Sequence, residues 1–243
     1  MVRSSLGSRF LSIRVVILCA VLSLSIGNLS AQQNYVGLSG GAHLNGAWVE
    51  HTLRGQDYET IFVQQPIAGF HSGVQFKHYN EIKSYRKLHT GIQISAYYFQ
   101  RGWKQAYLLT DGPVTRMNYV QLPVDALIYF GTERNRIFTL LGIYGERLVD
   151  YALGIQPPEE LTNIEDFYTY DESRGDSKYA YGFNGGAGWH ATRGKHSFEI
   201  SAFISYSLSN FIYNARISDP TPDVSNLWSS GLRVAYLLPL DKN

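Results

Sequence analysis

The chain has 243 residues with 21 Lys+Arg against 20 Asp+Glu, so it lacks the basic excess that nucleic-acid binders usually show, and no nucleic-acid partner is expected. A single Cys excludes a disulfide framework. After the N-terminal segment no stretch approaches 18 continuous apolar residues, which excludes a spanning helix there.

The first segment reads as a leader. Arg3, Arg9 and Arg14 precede the uncharged run Val15–Ile26, and Leu29-Ser30-Ala31 offers small residues for cleavage. That order is a secretory signal peptide, and the run is shorter than the about 20 residues of a transmembrane anchor. The domain expectation is therefore a cleaved signal peptide over 1–31 and one domain over 32–243. Cys19 leaves with the leader.

From there the apolar period is two, the period of a strand whose side chains alternate between faces. Val36, Leu38, Ala42, Leu44 and Trp48 alternate with Ser39, His43 and Asn45. Ala68, Phe70, Val74 and Phe76 alternate with His71, Gln75 and Lys77. Leu88, Ile92, Ile94, Ala96 and Tyr98 alternate with His89, Gln93 and Ser95. Val120 to Phe130 places Leu122, Val124, Ala126 and Ile128 opposite Gln121, Pro123 and Asp125. Ile137–Tyr151 is apolar on both parities and leaves its faces open. Tyr179–Ala191 is Gly-rich, with Tyr181, Phe183, Ala187 and Trp189 on one parity. Phe198 to Leu208 alternates with Glu199, Ser201, Ser205 and Ser207, and Trp228 to Leu238 with Ser229, Gly231 and Arg233.

Most of these eight segments run about 10–15 residues, beyond the typical soluble strand and long enough to cross hydrocarbon. Lys77, Asp125, Glu199 and Arg233 lie on the polar parity. A charge facing lipid at mid-depth costs about 2–4 kcal/mol, so these four should point inward as a structural polar network. An ion pathway is the other reading of them. The fold class expected is all-β, a closed antiparallel up-and-down transmembrane barrel of eight strands, with ten as the alternative count. At eight strands side chains fill the interior.

Links alternate in length. Asn80–Lys87, Gly131–Arg136 and Thr192–Lys195 are short; Val49–Gln65, Lys104–Arg116, Ala152–Lys178 and Asn210–Asn226 are long. Outer-membrane barrels have short periplasmic turns and long external loops, which places both termini in the periplasm. Tyr58–Val63 and Phe167–Tyr170 read as hairpin extensions above the membrane. Aromatic residues near strand ends, Trp48, Tyr129, Trp189, Trp228 and Tyr236 together with Tyr35, Tyr79 and Tyr119, are expected in the interfacial girdles. Pro123 inside a strand points to a bulge.

The run Tyr119-Val-Gln-Leu-Pro-Val-Asp-Ala-Leu-Ile-Tyr-Phe-Gly131 resembles a proline-containing strand of PorT-like outer-membrane β-barrel proteins. Leu88–Gly102 is similar to that family's preceding strand, and Leu140–Gly145 to the following one, with Ile143 where proline is usual and Asp125 interrupting an apolar stretch. Ser229, Gly231, Val234 and Tyr236 resemble the final-strand signal read by barrel-assembly machinery, although the chain ends Asp241-Lys242-Asn243. The resemblance implies an outer-membrane location, with outer-membrane lipid and the assembly machinery as partners. The member that names the family is associated with a protein-secretion apparatus and gliding; many others have no known activity.

No catalytic, cofactor or metal spacing emerges. His43, His51, His71, His78, His89, His190 and His196 match no Ser-His-acid or metal pattern. Glu159, Glu160, Glu165, Asp166, Asp171, Glu172 and Asp176 make the third long link acidic, without the calcium-loop spacing. The functional expectation is a non-enzymatic envelope protein with an interaction or structural role, in an envelope or secretion assembly. The alternatives are a lipid-modifying barrel enzyme and a soluble lipocalin-like ligand binder, which would carry Lys77 and Arg233 on its outside.

Overall fold

The computed structural model describes residues 33–50, 62–80, 88–107, 110–154, 175–212 and 224–240. Among the described residues nine strands form one sheet: β1 (Gln33–Glu50), β2 (Phe62–Gln65), β3 (Ile67–Tyr79), β4 (His89–Tyr107), β5 (Thr110–Gly131), β6 (Asn135–Gly154), β7 (Tyr179–Arg193), β8 (His196–Ser207) and β9 (Val224–Pro239). Each long strand pairs antiparallel with its chain neighbour, and β1 pairs with both β3 and β9, so the sheet closes on itself.

The barrel has eight staves. β2 runs along β4 through Gln65↔Lys104, on the side that β3 occupies lower down. Only Pro66 separates β2 from β3, and proline has no N–H to give a ladder. The pairing of Phe62–Gln65 extends a stave above the wall and adds no stave to it. Phe167–Tyr170 lies outside the described residues, as do residues 1–32, where the leader is expected, residues 81–87 and most of the acidic link.

Paired residues trace the closure. From Val36 the path runs through Phe76, Ile94, Val124, Ile143, Phe183, Tyr206 and Trp228. It returns to β1 at Gly46, ten residues beyond its start. This stagger is the shear that strand tilt demands in a closed barrel. Every residue on the path except Gly46 is apolar or aromatic and lies on the outward parity. At the seam Trp228 lies across Gly46, where a Cβ would meet the indole. A bare glycine is thus covered by a cross-strand aromatic residue.

The links differ from the expected pattern in one place. Lys104–Arg116 is not a loop, because β4 and β5 stay paired out to Tyr107↔Thr110, with a register shift between Lys104 and Ala106. At the other end Gly194-Lys195 is a two-residue hairpin loop with Gly194 at φ 60°, the left-handed conformation such turns require. Pro123 causes no bulge. It stays in register opposite Tyr144 on β6, while the β4–β5 ladder passes from Ile94↔Val124 to Tyr97↔Gln121 without a pair between them. The missing N–H is accommodated by that gap.

Burial follows parity along most of the wall, and both parities are buried at loop-end stretches such as Ser225–Leu227. Outward residues include Leu141 and Ile143, each 69% exposed, whereas Lys77 and Asp125 are both 0% exposed. β6 resolves the same way: Ile137, Leu141, Ile143 and Val149 face out, and Phe138, Leu140, Tyr144 and Leu148 face in. Its two apolar parities reflect apolar clusters at the ends of the lumen. Replacing Gly46 with Val is expected to push Trp228 off the wall and destabilise the barrel by about 1–3 kcal/mol. Urea unfolding of the refolded protein would show this as a lower midpoint.

Candidate functional site: the barrel lumen

The inward parity of all eight staves converges on one filled interior, arranged in layers. At the loop end Trp103, Met117, Leu148, Leu227, Phe211 and Ile212 pack together. Trp103 and Phe211 have ring centroids 4.7 Å apart. Phe211 is tied to β9 by its N–H donating to the Ser225 carbonyl, 3.0 Å.

Below this layer sits an ion pair absent from the sequence expectations. Arg101 Nε donates to Glu146 Oε2, 3.1 Å, and lies 2.9 Å from Oε1, with both side chains 0% exposed. Gln121 also donates to Glu146 Oε2, 3.0 Å. Arg101 Nη1 reaches Ser229 Oγ, 2.9 Å, which in turn donates to Asn45 Oδ1, 2.6 Å. Beside it His43 and His71 meet through their Nδ1 atoms at 3.1 Å, and both rings stack on Phe99.

The mid-lumen holds the four charges singled out in the sequence, in three separate groupings. Lys77 Nζ pairs with Glu199 Oε2 at 2.5 Å and lies 4.2 Å from the Phe138 ring centroid. Asp125 accepts from Asn184, 2.6 Å, and Gln93, 3.2 Å. Gly142 faces Asp125 across the sheet, and a Cβ there would strike the carboxylate. Arg233 lies over Tyr97 and Phe203, 4.7 and 4.9 Å from the ring centroids. All four point inward, the reverse of the polarity a lipocalin-like binder needs.

At the turn end Arg136 is enclosed by Tyr79, Tyr129 and Tyr35, with Cζ 4.3, 5.3 and 5.9 Å from the three centroids. Tyr129 therefore belongs to the lumen, 0% exposed, and not to an outer girdle; Tyr35, Tyr79 and Tyr119 are also inward. They share the parity of Lys77, Gln121 and Asp125, and parity outweighs nearness to a strand end. Trp48, Trp189 and Tyr236 do face outward, at 55%, 47% and 38% exposure. Trp228 is half-buried on the same outer surface. Tyr236 also shares a 2.5 Å hydrogen bond with His196.

One row resembles a hydrolytic relay. His190 Nε2 meets Thr192 Oγ1 at 3.1 Å, Thr192 meets Ser197 Oγ at 2.9 Å, and His190 Nδ1 lies 3.6 Å from Glu199. The register explains it: His190↔Glu199 and Thr192↔Ser197 are cross-strand pairs on the inner face. The His190–Glu199 contact is longer than a hydrogen bond. Glu199 is already bound to Lys77, and His190 and Ser197 are 0% exposed. A substrate carbonyl therefore has no approach to the imidazole in this arrangement. Among the described residues no group of three metal-ligating side chains converges.

No family model matches the chain, and no curated protein does. Its structure is similar to those of several bacterial outer-membrane proteins. OprG of Pseudomonas aeruginosa is 12% identical with a TM-score of 0.45, over 85% of this chain and 96% of that one. Ail, the attachment invasion locus protein of Yersinia pestis, solved with a heparin analogue, is 14% identical with a TM-score of 0.36, over 85% and 99%. The N-terminal barrel domain of Pseudomonas aeruginosa OprF is 11% identical with a TM-score of 0.36, over 85% and 99%.

Removing one member of a sealed pair strands its partner, whereas removing both does not. Lys77→Met alone is expected to destabilise the barrel by about 3–5 kcal/mol, and the Lys77→Met/Glu199→Leu double variant to recover most of that loss. A double-mutant cycle in urea measures the coupling.

Proposed function

We propose that this chain is a bacterial outer-membrane barrel whose wall crosses the lipid, whose lumen is a structural plug, and whose working surfaces are its two rims. The observation that carries this reading is the opposition of faces: sealed ion pairs inside, a predominantly apolar ring outside. On β4 the outward residues between polar Thr90 and Gln100 are Ile92, Ile94, Ala96 and Tyr98. About ten residues at about 3.3 Å each, tilted about 45°, give a band roughly 23 Å tall, close to the apolar height of such barrels. Polar groups bound it. Above, Gln100 donates to Asn118 and accepts from Arg116, and below, His78 bonds to Asn34.

Under this reading the Met1–Ala31 leader exports the chain, the barrel-assembly machinery inserts it, and the short turns and both termini lie in the periplasm. Trp48 and Trp228 at the loop end, and Trp189 and Tyr236 at the turn end, serve as the interfacial aromatic residues. The PorT-like resemblance of Tyr119–Gly131 supports membership of an envelope or secretion assembly. The role is non-enzymatic, structural or interactive, a reading supported by the sealing of the Thr192–His190–Glu199 row inside the lumen.

Envelope fractionation tests this directly. The protein is expected in the outer membrane, with a gel mobility that shifts on boiling; a soluble periplasmic protein without the shift would refute it. Leu141→Arg, on the outer face, is expected to cost about 2–4 kcal/mol in folding into lipid vesicles. Planar-bilayer recording is expected to show no steady conductance.

A further inference from the structure

The turn end of the lumen holds a cation whose only bonded partner, among the described residues, is a neutral amide. Arg136 is 1% exposed. Its Nη2 donates to Gln33 Oε1, and its Nε and Nη1 have no hydrogen-bond partner. None of the ion pairs among the described residues includes it. Buried polar groups are nearly always satisfied, and an unpaired buried charge is costly. The ring faces of Tyr35, Tyr79 and Tyr129 offset part of that cost and supply no acceptor.

The position of Gln33 shows where an acceptor belongs. Its Oε1 receives a second hydrogen bond, from Tyr35 Oη at 3.0 Å, so one oxygen atom sits between a guanidinium N–H and a phenol. The same side of a guanidinium presents Nε–H beside Nη2–H, the pair that grips two oxygens of a carboxylate or phosphate. Gln33 fills half of that grip with a neutral oxygen, and it is only half-buried at the start of β1. The surrounding rim is basic: Arg134, Arg193 and Lys195 are exposed there, with Glu133 the one acid in the two described turns.

We infer that the turn-end mouth is an oxyanion site, in which a phosphate or carboxylate group displaces the Gln33 side chain. One oxygen takes the place of Gln33 Oε1 between Arg136 Nη2 and Tyr35 Oη, and a second accepts from Arg136 Nε. The basic rim concentrates anions at the mouth. The site belongs to the barrel itself and does not depend on which side of a membrane the turns occupy.

Calorimetric titration of the refolded full-length barrel at low ionic strength, with inorganic phosphate and separately with acetate, tests this. Saturable binding of either is expected, and competition between them identifies the preferred class. Arg136→Gln is expected to weaken binding by at least about tenfold and Tyr35→Phe by about three- to tenfold. Gln33→Ala, which clears the occupant, should bind as tightly as the native protein or more so. No saturable binding, or binding unchanged in Arg136→Gln, overturns the inference. If Arg136→Gln loses the boiling-dependent mobility shift, Tyr35→Phe and Gln33→Ala decide, since both keep the charge. Unchanged affinity in both, with loss in Arg193→Gln/Lys195→Gln, would mean diffuse attraction to the rim only and would likewise overturn it.

Discussion

A closed ladder is the constraint from which the rest of this structure follows. Once β1 pairs with β9 there is no free edge in the wall, and every stave must present one parity outward and the other inward. The outward parity then sets what the inward parity has to hold. With Leu141, Ile143 and their neighbours on the outside, each charged residue within the apolar band has only the lumen to occupy. Lys77, Arg101 and Glu199 are there for that reason, and each needs a partner.

The partners come from the register. Asp125 and Gln93 face one another on adjacent staves, as do His190 and Glu199. The longer reaches, Lys77 to Glu199 and Arg101 to Glu146, cross the lumen between staves that are not neighbours. An open channel would separate these groups by water. Here they touch, and aromatic layers at both ends shield them. Such a core selects one register more than it adds stability: a one-residue slip of any stave would send its ions into the apolar face.

Much of this was legible in period-two alternation, which located the staves and the inward course of Lys77, Asp125, Glu199 and Arg233. Tyr129 shows parity overriding position along the strand. Its position near a strand end suggested a girdle, but it is four residues from Asp125 and so shares its face. Arg101 and Arg136 follow the same rule, standing on the parities of Gln93 and Phe138. Arg101 adjoins Gly102, and Arg136 falls in the short Gly131–Arg136 link, so neither stands inside a segment of clean alternation. Which inward residues meet across the lumen was not readable, because that depends on the stagger around the barrel, and the stagger is a property of all eight pairings together. The double apolar parity of β6 was ambiguous for a related reason, since an apolar inner layer and an apolar outer face look alike in one strand.

The seam between β1 and β9 also bears on how the barrel comes into being. Gly46 and Trp228 meet there although almost the whole domain lies between them in the chain. Contacts of such separation are slow to form, because the intervening chain must be ordered before they can be made. β1 has one neighbour, β3, close to it in the chain, and its other edge stays unsatisfied until β9 pairs with it. Until then Val36, Leu38 and Leu44 belong to a half-built sheet with an adhesive margin. The time between first stave and last is therefore when this protein is most exposed to mispairing, and the need for an escort is greatest then.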